Sequence, residues 1–226
     1  MQMKKAILLT VIFTCLLLLF GCSNIDSQIS EKDSIQVQSQ EDLVKEAFNN
    51  YKSSILNDKG EDAVNYLDTN TIKYYDKISE LVKNADRKKI TSLSLMDKLM
   101  VILIRHTVTK EDIFSFDGRK LLIYAIKNGM VGKDSVMNNS IGEVSVNENF
   151  AKGEMLMNGK KSSIYFHFYK ENGVWKVDLT SIFDVSNMAF KKMVEESGQT
   201  EDDFIFLIIE SSSGKKPDSS VWEPLK

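Results

Sequence analysis

The chain has 226 residues, with 29 Lys and Arg against 32 Asp and Glu, for a formal net charge of −3. A chain so balanced lacks the basic excess that grips nucleic-acid phosphates, so no nucleic-acid partner is expected. Its two cysteines, Cys15 and Cys22, and two histidines, His106 and His167, supply neither a disulfide framework nor a zinc ligand set. No metal and no cofactor is expected.

Lys4 and Lys5 precede an apolar run, residues 6–20, broken only by Thr10 and Thr14; Gly21 is the small residue before a cleavage point. The stretch Leu19-Phe20-Gly21-Cys22 resembles the lipobox of bacterial lipoproteins, in which the cysteine thiol takes a diacylglyceryl group and becomes the new N-terminus. The alternative is an uncleaved transmembrane anchor, but residues 6–22 lie at the bottom of the spanning range of about 17–25 residues. The resemblance implies a signal peptide over residues 1–21, lipid on Cys22, and a domain held to the cell membrane and facing outside the cytoplasm. Cleavage there removes Lys4 and Lys5, moves the formal charge from −3 to −5 and leaves no free cysteine. Residues 22–40, rich in Ser, Gln and Asp without an apolar period, are expected to form a flexible tether. Residues 41–226 then form one domain, large enough to be stable on its core alone.

Helical patterns fill the first half. Ser39 with Asp42 matches a capping box, and Leu43, Val44, Ala47, Phe48, Tyr51 and Ile55 share one face. Gly60 opens a short piece. Asp68 to Asn70 can cap a helix carrying Ile72, Tyr75, Ile78, Leu81 and Val82. Residues 86–89 read as a charged connection. Ser94 and Asp97 cap a helix over residues 95–105 that is apolar nearly all round its later turns, hence buried. Asp117 can cap another, which Gly129 can end.

From residue 140 to residue 180 the period becomes two. Asn158-Gly159 and Asn172-Gly173 are strong two-residue hairpin turns, and Glu148-Asn149 is a weaker third. These turns fix register. Phe168 is expected opposite Val177, Phe166 opposite Leu179 and Ala151, Ile164 opposite Gly153, Val146 opposite Ala151, and His167 opposite Asp178 and Phe150. All three turns give one partition. Val144, Val146, Ala151, Met155, Met157, Ile164, Phe166, Phe168, Trp175, Val177 and Leu179 face inward. Glu143, Ser145, Lys152, Glu154, Ser163, Tyr165, His167, Tyr169, Lys176, Asp178 and Thr180 face outward. The fold class is α+β: N-terminal helices packed on a curved four-stranded antiparallel meander, followed by C-terminal helices over residues 186–196 and from Thr200. Residues 211–220 read as a polar loop, and Trp222 as a plug that folds back.

Helices followed by a curved antiparallel sheet, with Phe168-Tyr169-Lys170-Glu171-Asn172-Gly173-Val174-Trp175-Lys176-Val177-Asp178-Leu179 closing it, resemble the nuclear transport factor 2-like superfamily over residues 42–180. The resemblance implies a cone with a pocket between helices and sheet, and leaves function open, since members include enzymes, carriers and interaction domains. Catalytic members place Asp/His or Asp/Arg pairs inside the cone, where this chain has only apolar side chains.

Candidate residues outside that interior are few. Tyr165, His167, Tyr169 and Asp178 share the outer face, as an interface or ligand patch, or as a His–carboxylate general base. Arg105 and His106 end the buried helix, either as cations at a helix C-terminus or at the mouth of a pocket. Residues 129–134 lack phosphate-loop spacing, and the methionines Met155, Met157, Met188 and Met193 read as core filling. The expected function is a non-catalytic binding or interaction module at the cell envelope, with an envelope protein, a second copy or a small apolar ligand as partner. The alternatives are an envelope hydrolase or isomerase acting on a small hydrophobic substrate, and an immunity-type or assembly accessory lipoprotein.

Overall fold

The structure, a computed structural model, describes residues 38–131 and 133–225. The expected signal peptide, Cys22 and the tether up to residue 37 lie outside the described residues. Among the described residues eight helices come first: α1 Gln40–Leu56, α2 Gly60–Asn65, α3 Thr69–Asn84, α4 Arg87–Thr91, α5 Leu95–Thr107, α6 Lys110–Ser115, α7 Gly118–Lys127 and α8 Asp134–Met137. The strands β1 Asn139–Asn147, β2 Phe150–Met157, β3 Lys160–Glu171 and β4 Val174–Asp178 follow. A 3-10 turn, Leu179–Ile182, leads into α9 Phe183–Ser197 and α10 Glu201–Ser213, and a second, Ser219–Trp222, closes the chain.

The caps sit where the sequence puts them. Ser39, Ser94 and Thr200 accept from the backbone N–H groups of Asp42, Asp97 and Asp203, and Asp68 and Asp117 cap α3 and α7. Three boundaries differ. Residues 86–89 are not a connection: Asp86 accepts from Lys89 N–H and starts α4, which buries Ile90. The first 3-10 turn runs directly into α9, which therefore begins at Phe183, and α10 continues to Ser213 before Gly214 ends it at φ 71°.

The sheet is antiparallel in the order β1-β2-β3-β4. Asn158 and Gly159 take φ 51° and 73°, Asn172 and Gly173 take 50° and 82°, the left-handed pair that such turns require. Phe168 pairs with Val177, and Val146 with Ala151, as expected. The β2–β3 register differs by two: Phe166 pairs with Gly153 and Phe168 with Ala151. The cause is a bulge on β3 between the pairs Leu156–Lys161 and Glu154–Tyr165. There the Ser162 hydroxyl donates to Met155 O at 2.7 Å and accepts from Ile164 N–H at 3.1 Å, satisfying groups that the bulge takes out of the ladder. An insertion of two preserves parity, so the inward and outward sets survive it. A second bulge lies in β1 between Ile141 and Val144. Leu179 has no strand partner because β4 ends at Asp178.

Two cores result. In the first, Val44, Phe48 and Ile55 of α1 and Val64 of α2 pack on Ala151, Phe166, Phe168, Trp175 and Val177 of the sheet. The second is helical, built from α3, α5 and α10 around Ile78, Ile102, Ile205 and Ile209, with Trp222 folded in and stacked on Phe206. Met155 joins the first core, but Met157, Met188 and Met193 do not fill a core: they are 46%, 70% and 51% exposed. They sit at a strand end and on the outer side of α9, where helical spacing alone does not tell which face is covered.

Helix α7 joins the cores, with Leu122 in one and Leu121 in the other. It lies so close to α3 that a Cβ on Gly118 would stand 2.3 Å from Asp76 N and 2.6 Å from Ile72 O. Both are backbone atoms that cannot step aside. Gly118→Ala is therefore expected to cost at least about 2–3 kcal/mol, as overpacking does. Gly129→Ala, at φ 67° with open space around it, should cost about 1 kcal/mol. Urea midpoints of the two variants check the order.

Candidate functional site

The outer face of the sheet gathers the aromatic residues that the alternation predicts there. Phe150 pairs with Tyr169 across β2 and β3, Lys152 with His167, and Glu154 with Tyr165. The β3 bulge thus moves Phe150 from opposite His167 to opposite Tyr169. Its ring still meets both, edge-on to His167 at 5.2 Å between centroids and tilted to Tyr169 at 5.4 Å. Lys152 Nζ stands 4.3 Å over the Tyr165 ring. Such contacts hold the rings in one row, with Tyr165 39% exposed.

The same face contains a carboxylate that the sequence does not reveal as buried. Glu154 is 7% exposed, and its Oε2 has no hydrogen-bond partner among the described residues. Lys161 Nζ lies 3.4 Å from it and 2.9 Å from Glu143. Room for Glu154 comes from Gly142 in the β1 bulge, where a Cβ would approach Oε2 to 3.1 Å. A lone glycine in an edge strand was the available signal.

Asp178 leaves the patch. It is the Cα partner of His167, yet its side chain accepts from Thr180 N–H at 2.9 Å and Thr180 Oγ1 at 2.5 Å, capping the turn that follows β4. It is 5% exposed and lies near Asp68, the buried cap of α3. Burial pushes the Asp68 carboxyl up, the N–H and hydroxyl of Thr71 pull it down, and the Asp178 charge pushes it up again. Among the described residues the His167 imidazole makes no hydrogen bond; its backbone N–H donates to Ser181 Oγ. A strand end is where a cross-strand pair is least secure, because the chain turns away from the ladder. The alternative of a His–carboxylate base is not assembled.

Arg105 is not at a pocket mouth. It is 8% exposed, and its guanidinium donates from Nε to Val82 O at 2.7 Å, from one terminal nitrogen to Val221 O at 3.0 Å, and from the other to Leu81 O and Ala85 O at 3.2 and 2.7 Å. Four backbone carbonyls from the end of α3 and the C-terminal turn are thereby satisfied. Burial lowers its pKa, and Glu223 opposes that shift.

His106, one residue on, points elsewhere. Its Nε2 is 3.2 Å from Ser213 Oγ, which lines a cleft of about 330 Å³ with Leu103, Thr107, Tyr124, Met130 and Ser212. Asp218 lies nearby, held below the usual carboxylate range by the Ser220 N–H and hydroxyl, with Lys215 and His106 adding to it. Ser, His and Asp are thus adjacent, but the Ser213 hydroxyl donates to Ile209 O at 2.7 Å, as a helix-end serine does. Its proton is aimed at a carbonyl rather than at the imidazole, the reverse of what a serine nucleophile needs.

Where α1 meets the sheet, the packing is apolar. Phe48 of α1 meets Phe166 at 5.2 Å, and Phe168 and Val177 are fully buried against the helices. Among the described residues, no group of three His, Cys, Asp or Glu side chains could hold a metal ion, and no helix is long and apolar enough to cross a membrane. In comparisons with known proteins, no family model matches the chain, and neither a curated protein nor a solved structure matches it.

Removing the Arg105 side chain leaves up to three buried carbonyls unpaired, those of Val82, Val221 and Ala85, since Leu81 O keeps its bond from Ala85 N–H. Arg105→Ala is expected to cost about 3 kcal/mol or more, each orphaned buried acceptor costing about 1–3 kcal/mol at most. Arg105→Lys recovers only part of this, because an ammonium cannot span the four acceptors with a planar fork. Thermal melting of both variants checks the order.

Proposed function

We propose that the chain is a lipid-anchored, extracytoplasmic binding module without catalytic activity, and that it takes a protein partner on the aromatic outer face of its sheet. The observation that carries this reading is the row Phe150, Tyr165, His167 and Tyr169, braced by cross-strand contacts, with Tyr165 exposed and the other three half-buried. Rigid amphipathic rings give contact area at low entropic cost, which is why Tyr is enriched at interfaces. The inward face supports no rival, since side chains of α1 and α2 fill it. The lipobox-like stretch ending in Cys22 supports the anchor. Kinship with the nuclear transport factor 2-like superfamily belongs to the same proposal, and the order of helices before an antiparallel meander is its support.

The alternative of an envelope hydrolase draws on the cleft beside Ser213 and His106, and the bond from Ser213 to Ile209 O speaks against it.

Tyr165→Ala/Tyr169→Ala is the decisive variant. It is expected to lose capture of envelope protein from solubilised membranes by at least about tenfold, the loss of roughly 1.4 kcal/mol. Its melting temperature should stay close to that of the parent, because neither ring lies in a core. Unchanged capture would remove this face as the site. The anchor has its own check. Cys22→Ser is expected to abolish incorporation of labelled fatty acid and to move the protein out of the membrane fraction.

A further inference from the structure

The sheet has two edges, and they differ. On β4 the linker between α2 and α3 closes the edge: Val177 N–H donates to Tyr66 O at 2.7 Å, and Asp68 N–H donates to Val177 O at 3.1 Å. On β1, Lys52 Nζ donates to Asn139 O at 2.8 Å at the start of the strand, but from Val144 to Val146 no other described residue closes the edge. Asn147 and Phe150 flank a two-residue turn, so they exchange hydrogen bonds with each other, and the alternate residues Val146 and Val144 aim their N–H and C=O groups away from β2. Among the described residues these four groups have no hydrogen-bond partner. Exposed edges of this kind are templates for another strand.

We propose that β1 pairs antiparallel with β1 of a second copy, about a two-fold axis at Ser145, to give a continuous eight-stranded sheet. The chain itself selects this occupant and this register. The bulge between Ile141 and Val144 ends regular backbone on one side, and the turn at Glu148, with φ 52°, ends it on the other. Between them, only a centre at Ser145 uses the outward groups of both valines, pairing Val144 with Val146 of the second copy and the reverse. That register sets valine against valine on the inward side. On the outward side it sets Glu143 against Asn147 rather than against its own copy, so no like charges face each other. Such self-complementarity is what an isologous two-fold contact needs. The ladder is short, with four hydrogen bonds; on the lipid anchor proposed above, confinement of both copies to one membrane raises their effective concentration. The inference does not rest on the proposed aromatic site: it concerns another part of the sheet, and either can fail alone.

Disulfide cross-linking of the full chain in its own membranes tests it. In this ladder Ser145 opposes its copy as a non-hydrogen-bonded pair with Cα atoms about 4.5 Å apart, inside the window of about 4.4–6.8 Å for a disulfide. Ser145→Cys is expected to give a reducible dimer well above the background of the parent chain, which carries Cys15 and Cys22. Glu143→Cys and Asn147→Cys should each stay monomeric alone and cross-link when co-expressed. Lys152→Cys, one strand further in, should not link at all. A Ser145→Cys chain that is folded and membrane-bound yet no more dimeric than the parent overturns the proposal. So does a Glu143→Cys chain that links to itself as readily. Adding Val146→Pro to Ser145→Cys removes an outward N–H from each copy without touching the β2 ladder, and should reduce the dimer about 25-fold, the loss of two hydrogen bonds at about fivefold each.

Discussion

The arrangement of the helical half depends on the guanidinium of Arg105. Helix α3 ends beside Arg105, with the carbonyls of Val82 and Ala85 turned into the protein. Arg105 supplies N–H groups to Leu81, Val82 and Ala85, while Leu225 N–H donates to Lys83 O at 3.0 Å. The same guanidinium holds Val221 O, which fixes the C-terminal turn. That turn carries Trp222, whose ring stacks on Phe206 of α10 and lies under the guanidinium of Arg87 at 5.0 Å. One buried cation therefore joins the end of α3, the end of the chain and, through Trp222, α4 and α10. It does so with backbone acceptors alone, so the arrangement satisfies orphaned carbonyls and does not amount to a salt bridge.

The second constraint is close approach around α7. Gly118 brings its start against α3, and its N–H donates to Asp76 Oδ1 at 2.6 Å. Gly60 lets α2 approach the middle of the same helix, where a Cβ would stand 2.7 Å from Ile123 O. With Leu121 and Leu122 turned to opposite cores, α7 transmits the placement of the helical half to the sheet-bearing half. The sheet is then positioned twice, by α1 on its inward face and by the Leu67–Val177 bridge at its β4 edge.

What is left open by this packing is the outer face and the β1 edge. Polar groups that sequence alone offers to catalysis are consumed by structure. Asp178 caps a turn, Arg105 satisfies carbonyls, and Ser213 donates to a backbone oxygen. The aromatic row has no such structural engagement, which is why the functional reading rests on contact rather than on chemistry. A partner bound there would also lie close to the open β1 edge.

Local signals determined much. Hydroxyl or carboxylate caps, Asn-Gly turns and the change of period from helical to two are decided by interactions within a few residues, so the element types, the α+β class and the inward and outward sets of the strands could be read directly. The lipobox-like stretch, equally local, is a sequence reading from beginning to end. Tertiary structure decided the rest, because it depends on what lies across space. The β3 bulge shifted Phe150 from His167 to Tyr169, since nothing in a turn's sequence counts residues further along the strand. Asp86 could start a helix only because Ile90 had a core to enter. The exposure of Met157, Met188 and Met193, and the burial of Arg105 and Asp178, follow from which surface another element covers. Periodicity states that a face exists; only packing says whether it is filled.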